Sequence, residues 1–435
     1  MTYNTQWLNL TVKDTFEQIS SRDKQVKTKD CLTEGDYPVV DQGRNLINGF
    51  VNDETKVINL NKKPIVVFGD HTRIVKWINF NFVPGADGTK LLVPNEFLIP
   101  KFFYYQLKSI DIKDRGYGRH FKILQESNFK VAPIAEQQEI VRQLDVMLAQ
   151  VEQIKARLDA IPAILKKFRQ SVLADAVSGK LTEEWRGTSD LNNWNEKFLE
   201  EITYRITYGL TKRPPYVEKG IPVISAKEIR SGWVDFNVAN QISESDFASL
   251  REKCKIFEGD VLFSKTGSIG HVAIYNHSRP SASSQNIAVI TPKLEDVNTE
   301  YLYCYLKSPL VQNIAQQSVK ANAIPDLQLG IISKFTINLP PIVEQQEIVR
   351  RINALFLYAE VIEKIVQSAQ KRVNLLTQSI LAKAFSGELT AEWREQHQDL
   401  IIGINSAESL LAKIQAERIL DAKNTKRPIT RKKKQ

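Results

Sequence analysis

The chain has 435 residues, of which 42% are hydrophobic and 25% charged, an ordinary balance for a soluble globular protein with two or three cores. No run of about 18 apolar residues occurs, so no transmembrane helix is expected. The net charge of +9 is concentrated at one end: seven Lys or Arg and no acid lie between Lys423 and Gln435, leaving two of the nine excess charges elsewhere. That tail reads as disordered, and binding of an acidic partner by the folded part must come from local clusters. The start, MTYNTQWLNL, lacks a secretory pattern. Cys31, Cys254 and Cys304 are odd in number and far apart, which fits no disulfide framework and suits a reducing cytoplasm.

Residues 1–132 read as a first sheet-bearing domain. The stretch from Ile65 to Phe82 mixes β-branched and aromatic residues, and Asp87-Gly88 reads as a turn. Lys24, Lys27 and Lys29 alternate with polar residues and read as a solvated face. Near the end, DRGYGRHFK carries Arg115, Tyr117, Arg119, His120 and Lys122. Arginine can pair with guanine and basic side chains with phosphates, while Gly116 and Gly118 let a backbone approach closely. The plainer alternative is an exposed loop.

Residues 133–186 form the first copy of an internal repeat. PIAEQQEIVR begins at Pro133 and returns as PIVEQQEIVR at Pro341; SGKLTEEWR ends at Arg186 and returns as SGELTAEWR ending at Arg394. The offset is 208 residues throughout, with 23 identities in 54 aligned positions, so half the protein is duplicated. Ile140, Leu144, Met147, Val151, Ile154, Leu158, Ile161, Leu165, Phe168 and Val172 step alternately by four and three, the seam of a helix packed along a partner helix. Its length is about 48 Å at roughly 1.5 Å per residue. A proline-marked start and Gly179 bound it, and Pro162 is expected to kink it. Trp185, like Trp393 in the second copy, is expected to anchor packing where a helix meets its next domain.

Residues 187–340 read as a second domain, with strands in GDVLFSKTGSIGHVAIY and NIAVITPK. It echoes the first only loosely: Tyr37-Pro38-Val39-Val40 against Ile221-Pro222-Val223-Ile224, and YYQLKS from Tyr104 against YCYLKS from Tyr303. Candidate contacts are Lys212 and Arg213 beside Tyr216, Lys227 and Arg230 in SAKEIRSGW, Lys265 and Ser268 in a glycine turn, and Lys320 and Asn322 in SVKANAIPD. A lone GxxG is weak and is more often a turn between strands. The second long helix then occupies 341–398, where the seam is Ile348, Ile352, Leu355, Ala359, Ile362, Val366, Ala369, Val373, Leu376 and Ile380. Residues 399–435 supply a short helix and the basic tail.

The absences are informative. No GxxxxGK[ST] loop occurs, Asn338-Leu339-Pro340-Pro341-Ile342 lacks the residues that grip a flipped base, and five scattered histidines give no zinc spacing. No catalytic constellation is legible.

The PI[AV]EQQEIVR and SG[KE]LT[EA]EWR pairs, the GIPVISAKEI segment from Gly220, SAESLLAKIQAERILDAK with its basic tail, and the order domain–helix–domain–helix together resemble the specificity subunit of type I restriction-modification systems. The resemblance covers almost the whole chain. It implies an α+β fold in which two mixed α/β target-recognition domains are separated by two long antiparallel helices forming a coiled coil. Each domain would read one half of a split, asymmetric double-stranded DNA site, and the helices would set the spacer. Two modification subunits and the motor-nuclease restriction subunits would assemble on this core. S-adenosylmethionine, ATP and Mg would reside on those partners, none being bound by this chain, and the modification would be adenine methylation. Two other readings remain open at this level: a stand-alone DNA methyltransferase, and a coiled-coil adaptor whose domains bind protein.

Overall fold

A computed structural model describes residues 6–86, 88–113, 116, 118–319 and 325–424, with the backbone alone from 417. The fold is α+β. It divides into two compact units, Met1–Leu158 with Ala369–Gln435, and Asp159–Ser368. Each unit holds one sheet-rich domain and half of each long helix, Ile134–Val177 and Ile342–Ser386. The compact units therefore part within the helices, not at the sequence boundaries between domain and helix.

Both domains are built to one plan. Each opens and closes with an antiparallel strand pair, Leu8–Thr11 against Asn128–Val131 and Asn195–Phe198 against Thr336–Leu339. In the first domain a four-stranded sheet follows in the order Phe16–Ile19, Thr89–Pro94, Ile65–Gly69, Val75–Ile78; in the second the order is Thr203–Tyr208, Ile287–Pro292, Val261–Ser264, Val272–Ile274. A further sheet contains a parallel pair at the same place, Val39 opposite Val83 and Val223 opposite Ala282. The two short echoes noted in the sequence fall on matching elements. YPVV and IPVI are the strands of these parallel pairs, and the tyrosine-rich segments lie in helices Pro100–Ser109 and Thr299–Lys307. The chain segment Ile65–Gly69 is buried at all five positions, as an inner strand covered on both faces requires.

The long helices begin where Pro133 and Pro341 offer their carbonyls to Gln137 N–H (2.9 Å) and Gln345 N–H (3.0 Å). They end at Gly179 (φ 78°) and Gly387 (φ 86°), whose left-handed backbone strongly favours glycine. Pro162 is exposed, and the helix runs through it unbroken. In the first unit Ile140, Leu144, Leu148 and Val151 share one core with Val373, Ile380, Leu381 and Ala384. In the second, Val172, Leu173 and Ala176 share one with Ile348, Val349 and Ile352. In both, the start of one helix lies beside the end of the other, so the packing is antiparallel. The seam has two breaks: Ile154 is 44% exposed and Leu376 45%.

A buried carboxylate fastens each domain to the helices. Glu136 is fully buried one turn into the first helix. It accepts from Trp7 Nε1 (2.7 Å), Thr390 Oγ1 (2.7 Å) and Arg394 Nε (2.9 Å), the last two from the end of the second repeat. Arg394 also donates to Gly387 O at 2.7 Å. Glu344 in the second unit accepts from Trp194 Nε1 (3.0 Å), Thr182 Oγ1 (2.8 Å) and Arg186 Nη1 (2.5 Å). The next residue clamps the domain. Gln137 accepts from Ile99 N and donates to Phe97 O and Ala132 O, and Gln345 does the same with Asn298 N, Asp296 O and Pro340 O. Trp185 and Trp393 are not the anchors expected from the sequence. Trp185 is 45% exposed and Trp393 is half-buried against His397, because Arg186 and Arg394 take the inward position of that turn. Trp7 and Trp194, each just before the first strand of its domain, supply the buried indoles.

Leu144→Ala is expected to lower unfolding free energy by about 2–5 kcal/mol in denaturant titration, whereas Ile154→Ala should cost under about 1 kcal/mol. Glu136→Ala or Glu344→Ala should cost about 3–5 kcal/mol by leaving a buried guanidinium unpaired, and Glu344→Leu with Arg186→Met should recover part of that loss.

Candidate nucleic-acid interface

In each domain the loops that carry polar and basic residues leave the strands described above and are tied together by backbone and buried side-chain bonds. In the first domain Lys76, 5% exposed, donates to Asp41 O (2.7 Å) and Asn45 O (2.6 Å), which fixes the loop after Tyr37–Val40. Burial lowers its ammonium pKa, and Asp41 opposes that shift. Asp70 holds the segment after helix Pro100–Ser109: its carbonyl accepts His120 N at 2.9 Å and its carboxylate accepts Phe121 N at 2.8 Å. His71 Nδ1 lies 3.3 Å from Gly118 O.

Of the candidates in that segment, Arg119 and Lys122 are exposed; among the described residues Lys122 has a 3.9 Å ion pair with the exposed Glu126, too weak to immobilise it. His120 is buried and positions backbone. Arg115 and Tyr117 lie outside the described residues. Sequence reading passed over Arg44 and Arg73. Arg73 lies in the Ile65–Gly69/Val75–Ile78 turn with φ 62°, a left-handed backbone rare outside glycine and asparagine, and donates to Ile112 O at 2.9 Å. The unusual DHTR turn between two apolar strands was the available signal.

The second domain uses the same elements with different chemistry. Lys265 is 7% exposed and donates to Asp326 Oδ1 at 2.6 Å and to Thr266 Oγ1 at 3.2 Å. Thr266 Oγ1 also donates to Asp326, and Leu327 N donates to Lys265 O at 2.8 Å. The hydrogen bond from Lys265, then that from Thr266, holds the Asp326 carboxyl below its usual range. Lys265 thus latches the turn to the segment Pro325–Leu327, where the sequence suggested a direct contact; its burial and its ion pair commit the ammonium to that job. A cleft of about 440 Å³ adjoins this latch, lined by Tyr208, Thr211, Gln285 and Gln328 among others. Ser268 is exposed on the turn, and Lys212, Arg213 and Tyr216 are exposed beyond Tyr208. Lys227 is exposed but donates to Val238 O at 2.9 Å within its own loop, and Arg230 is exposed. Lys320 and Asn322 lie outside the described residues, as does the basic tail from Thr425.

These features define a duplicated protein in which two domains of one plan, each packed on its own part of the long helices, carry unlike loop clusters. The family described as "Type I restriction modification DNA specificity domain" matches residues 4–163 and 192–370, and the chain belongs to it. Among its relatives, the EcoBI specificity subunit of Escherichia coli is 42% identical over 68% of this chain and 66% of its own length. The EcoKI specificity subunit of Escherichia coli K12 is 42% identical over 67% of this chain and 64% of its own length. The chain therefore spans about two thirds of these relatives. Among solved structures, a chain of a type I R-M system studied for complex assembly and conformational transition aligns with a TM-score of 0.62 at 16% identity, covering 88% of this chain and 98% of that one. The HsdS subunit from Thermoanaerobacter tengcongensis gives 0.51 at 15%, covering 88% and 97%. At such identities the likeness speaks for the fold. Among the described residues no helix is long and apolar enough to cross a membrane.

The latch has a signed pH dependence. A carboxyl with a lowered folded pKa contributes stability that is fully present above its unfolded value, near 3.9, and lost as pH falls through the folded one. Exchange protection of the Leu327 amide should hold above about pH 4 and fall below it. Asp326→Asn should weaken that protection at neutral pH and flatten the acid dependence, as read by hydrogen exchange.

Proposed function

We propose that this chain is the DNA-reading subunit of a type I restriction-modification complex and is itself non-catalytic. The observation that supports this reading best is one frame, repeated with a 208-residue offset, under two loop clusters of different chemistry. A protein that reads a split, asymmetric site needs equivalent frames and unlike readers. The exposed side chains of Arg119, Lys122, Lys212, Arg213, Arg230 and Ser268 are proposed DNA contacts, with Lys227 partly committed to its own loop and Lys265 as a positioning residue. Arg115, Tyr117, Lys320 and Asn322 remain proposed on their residue types. Recognition modules on a two-fold frame meet faces of DNA about 34 Å apart, a distance that the long helices have the length to set.

Partner docking is proposed on the helices. Gln138, Arg142 and Trp185 recur as Gln346, Arg350 and Trp393 although packing does not require their identity, as two equivalent sites for two modification subunits would demand. Arg142 and Arg350 are oriented by Glu139 and Glu347, whose carboxyl is held down at about 2 by Arg350 and then Arg351. In the second unit Leu357, Tyr358, Val361 and Ile365 expose an apolar stripe, each between 46% and 64% accessible, suited to protein contact. Adenine methylation from S-adenosylmethionine, and ATP- and Mg-dependent cleavage, are assigned to the partner subunits, in the cytoplasm.

Co-expression with its modification subunits, followed by genome-wide mapping of methylated adenines, should yield one split, non-palindromic motif. A continuous palindrome, or methylation without a motif, would rule the reading out. Tyr358→Asp with Ile365→Asp should lower the number of modification subunits that co-purify per chain while the chain keeps its folded circular-dichroism signature.

A further inference from the structure

The two domains diverged in their loops, yet each gathers three nitrogen-bearing groups from the same three elements. In the first domain a cleft of about 520 Å³ is lined by Arg44, Arg73 and Lys108, with Gln378 of the second long helix and one acid, Asp111, also on its wall. Arg44 comes from the loop between strands Tyr37–Val40 and Gly49–Val51, Arg73 from the turn between Ile65–Gly69 and Val75–Ile78, and Lys108 from the end of helix Pro100–Ser109. In the second domain the corresponding loop, between Ile221–Ile224 and Asn240–Ile242, carries Arg230. The corresponding turn, between Val261–Ser264 and Val272–Ile274, carries His271, and the corresponding helix, Thr299–Lys307, ends at Lys307.

The second set is close in space. A Cβ built on Gly232, in the Arg230 loop, would lie 3.4 Å from Tyr303 Oη and 3.6 Å from Lys307 Nζ. Burial, followed by the positive charges of Arg230 and Lys307, depresses the His271 pKa. The lysines match in setting too: Lys108 lies 5.8 Å from the centre of the Tyr104 ring, and Lys307 4.9 Å from that of Tyr303, to which it also donates at 2.9 Å. Arg44 and Arg230 are exposed and the other four are half-buried; the contacts of Arg73 with Ile112 O and of Lys307 with Tyr303 differ between the domains and give no reason why the same three elements supply nitrogen in both. A ligand common to both half-sites supplies one. Base pairs differ between half-sites; the phosphodiester backbone does not.

Resting on the DNA-reading assignment above, we propose that Arg44, Arg73 and Lys108 in the first domain, and Arg230, His271 and Lys307 in the second, form two equivalent sites for DNA backbone phosphate. They fix each domain on the duplex and leave base choice to the remaining loops. Phosphate contacts release counterions and carry no sequence information, so their loss has a defined signature.

The test uses the chain assembled with its modification subunits, with Arg44→Ala and Arg230→Ala as variants and Arg44→Lys and Arg230→Lys as charge-keeping controls. Binding to duplex containing the methylated motif is measured against salt concentration. Each alanine variant should weaken binding and shallow the log–log salt slope by about 0.9 per lost phosphate contact, with the methylation motif unchanged. Both lysine controls should retain the wild-type slope. An unchanged slope in the alanine variants, a base preference altered at one position, or an equal loss in the lysine controls would overturn the proposal. If the wild-type complex shows no motif-selective binding, the DNA-reading assignment fails instead, and the two failures are told apart by that one control.

Discussion

A buried carboxylate has to be surrounded by donors, and that requirement at Glu136 and Glu344 organises the rest of the molecule. An unpaired carboxylate in such a place is prohibitively costly. Each is therefore met by an indole N–H from just before its domain's first strand, and by a hydroxyl and a guanidinium from the end of the other repeat. Three segments distant in sequence are thereby brought to one point, and a slip of either helix by one residue would break the hydroxyl and guanidinium bonds there. The neighbouring Gln137 and Gln345 carry the same constraint into the domains by holding the turn before helix Pro100–Ser109 or Thr299–Lys307.

This distribution of constraint explains what the duplication kept. Identities cluster at the two ends of each repeat, where the carboxylate, its donors and the glycine caps lie; between Gln143 and Arg169 only Glu152 and Ile154 have identical mates. The middle needs only apolar volume at seam spacing, which many residues satisfy. The domain loops are held by local devices that differ in kind. Backbone groups on Asp70 and the buried Lys76 serve the first domain, and the Lys265–Asp326 pair serves the second. Their chemistry could change without disturbing the frame, and on the proposed function that freedom is what allows two half-sites to be read.

Much of the frame was legible in the sequence because it is periodic and repeated. The offset, the seam, the glycine caps and the domain order all follow from spacing. The donors of the buried carboxylates were not legible as a set, since Trp7 lies 129 residues from Glu136 and the tryptophans inside the repeated motif drew attention instead. Pro162 reads as a kink; the helix is continuous through it, with the proline exposed. The loop candidates were read by residue type alone. Spacing cannot tell Lys265, buried on Asp326, from Arg230, exposed, nor foresee that Arg44, Arg73 and Lys108 share a cleft, because that depends on which strands pair.

The central claim is that reading resides in the domains and spacing in the frame. The most direct measurement is an exchange of residues 199–334, inside the Asn195–Phe198/Thr336–Leu339 strand pair, for the same segment of a family member with a different sequence preference. The methylation motif of the assembled complex is then mapped. The account predicts that one half of the motif changes while the other half and the spacer between them stay as they were. A change in both halves, or in the spacer, would contradict it.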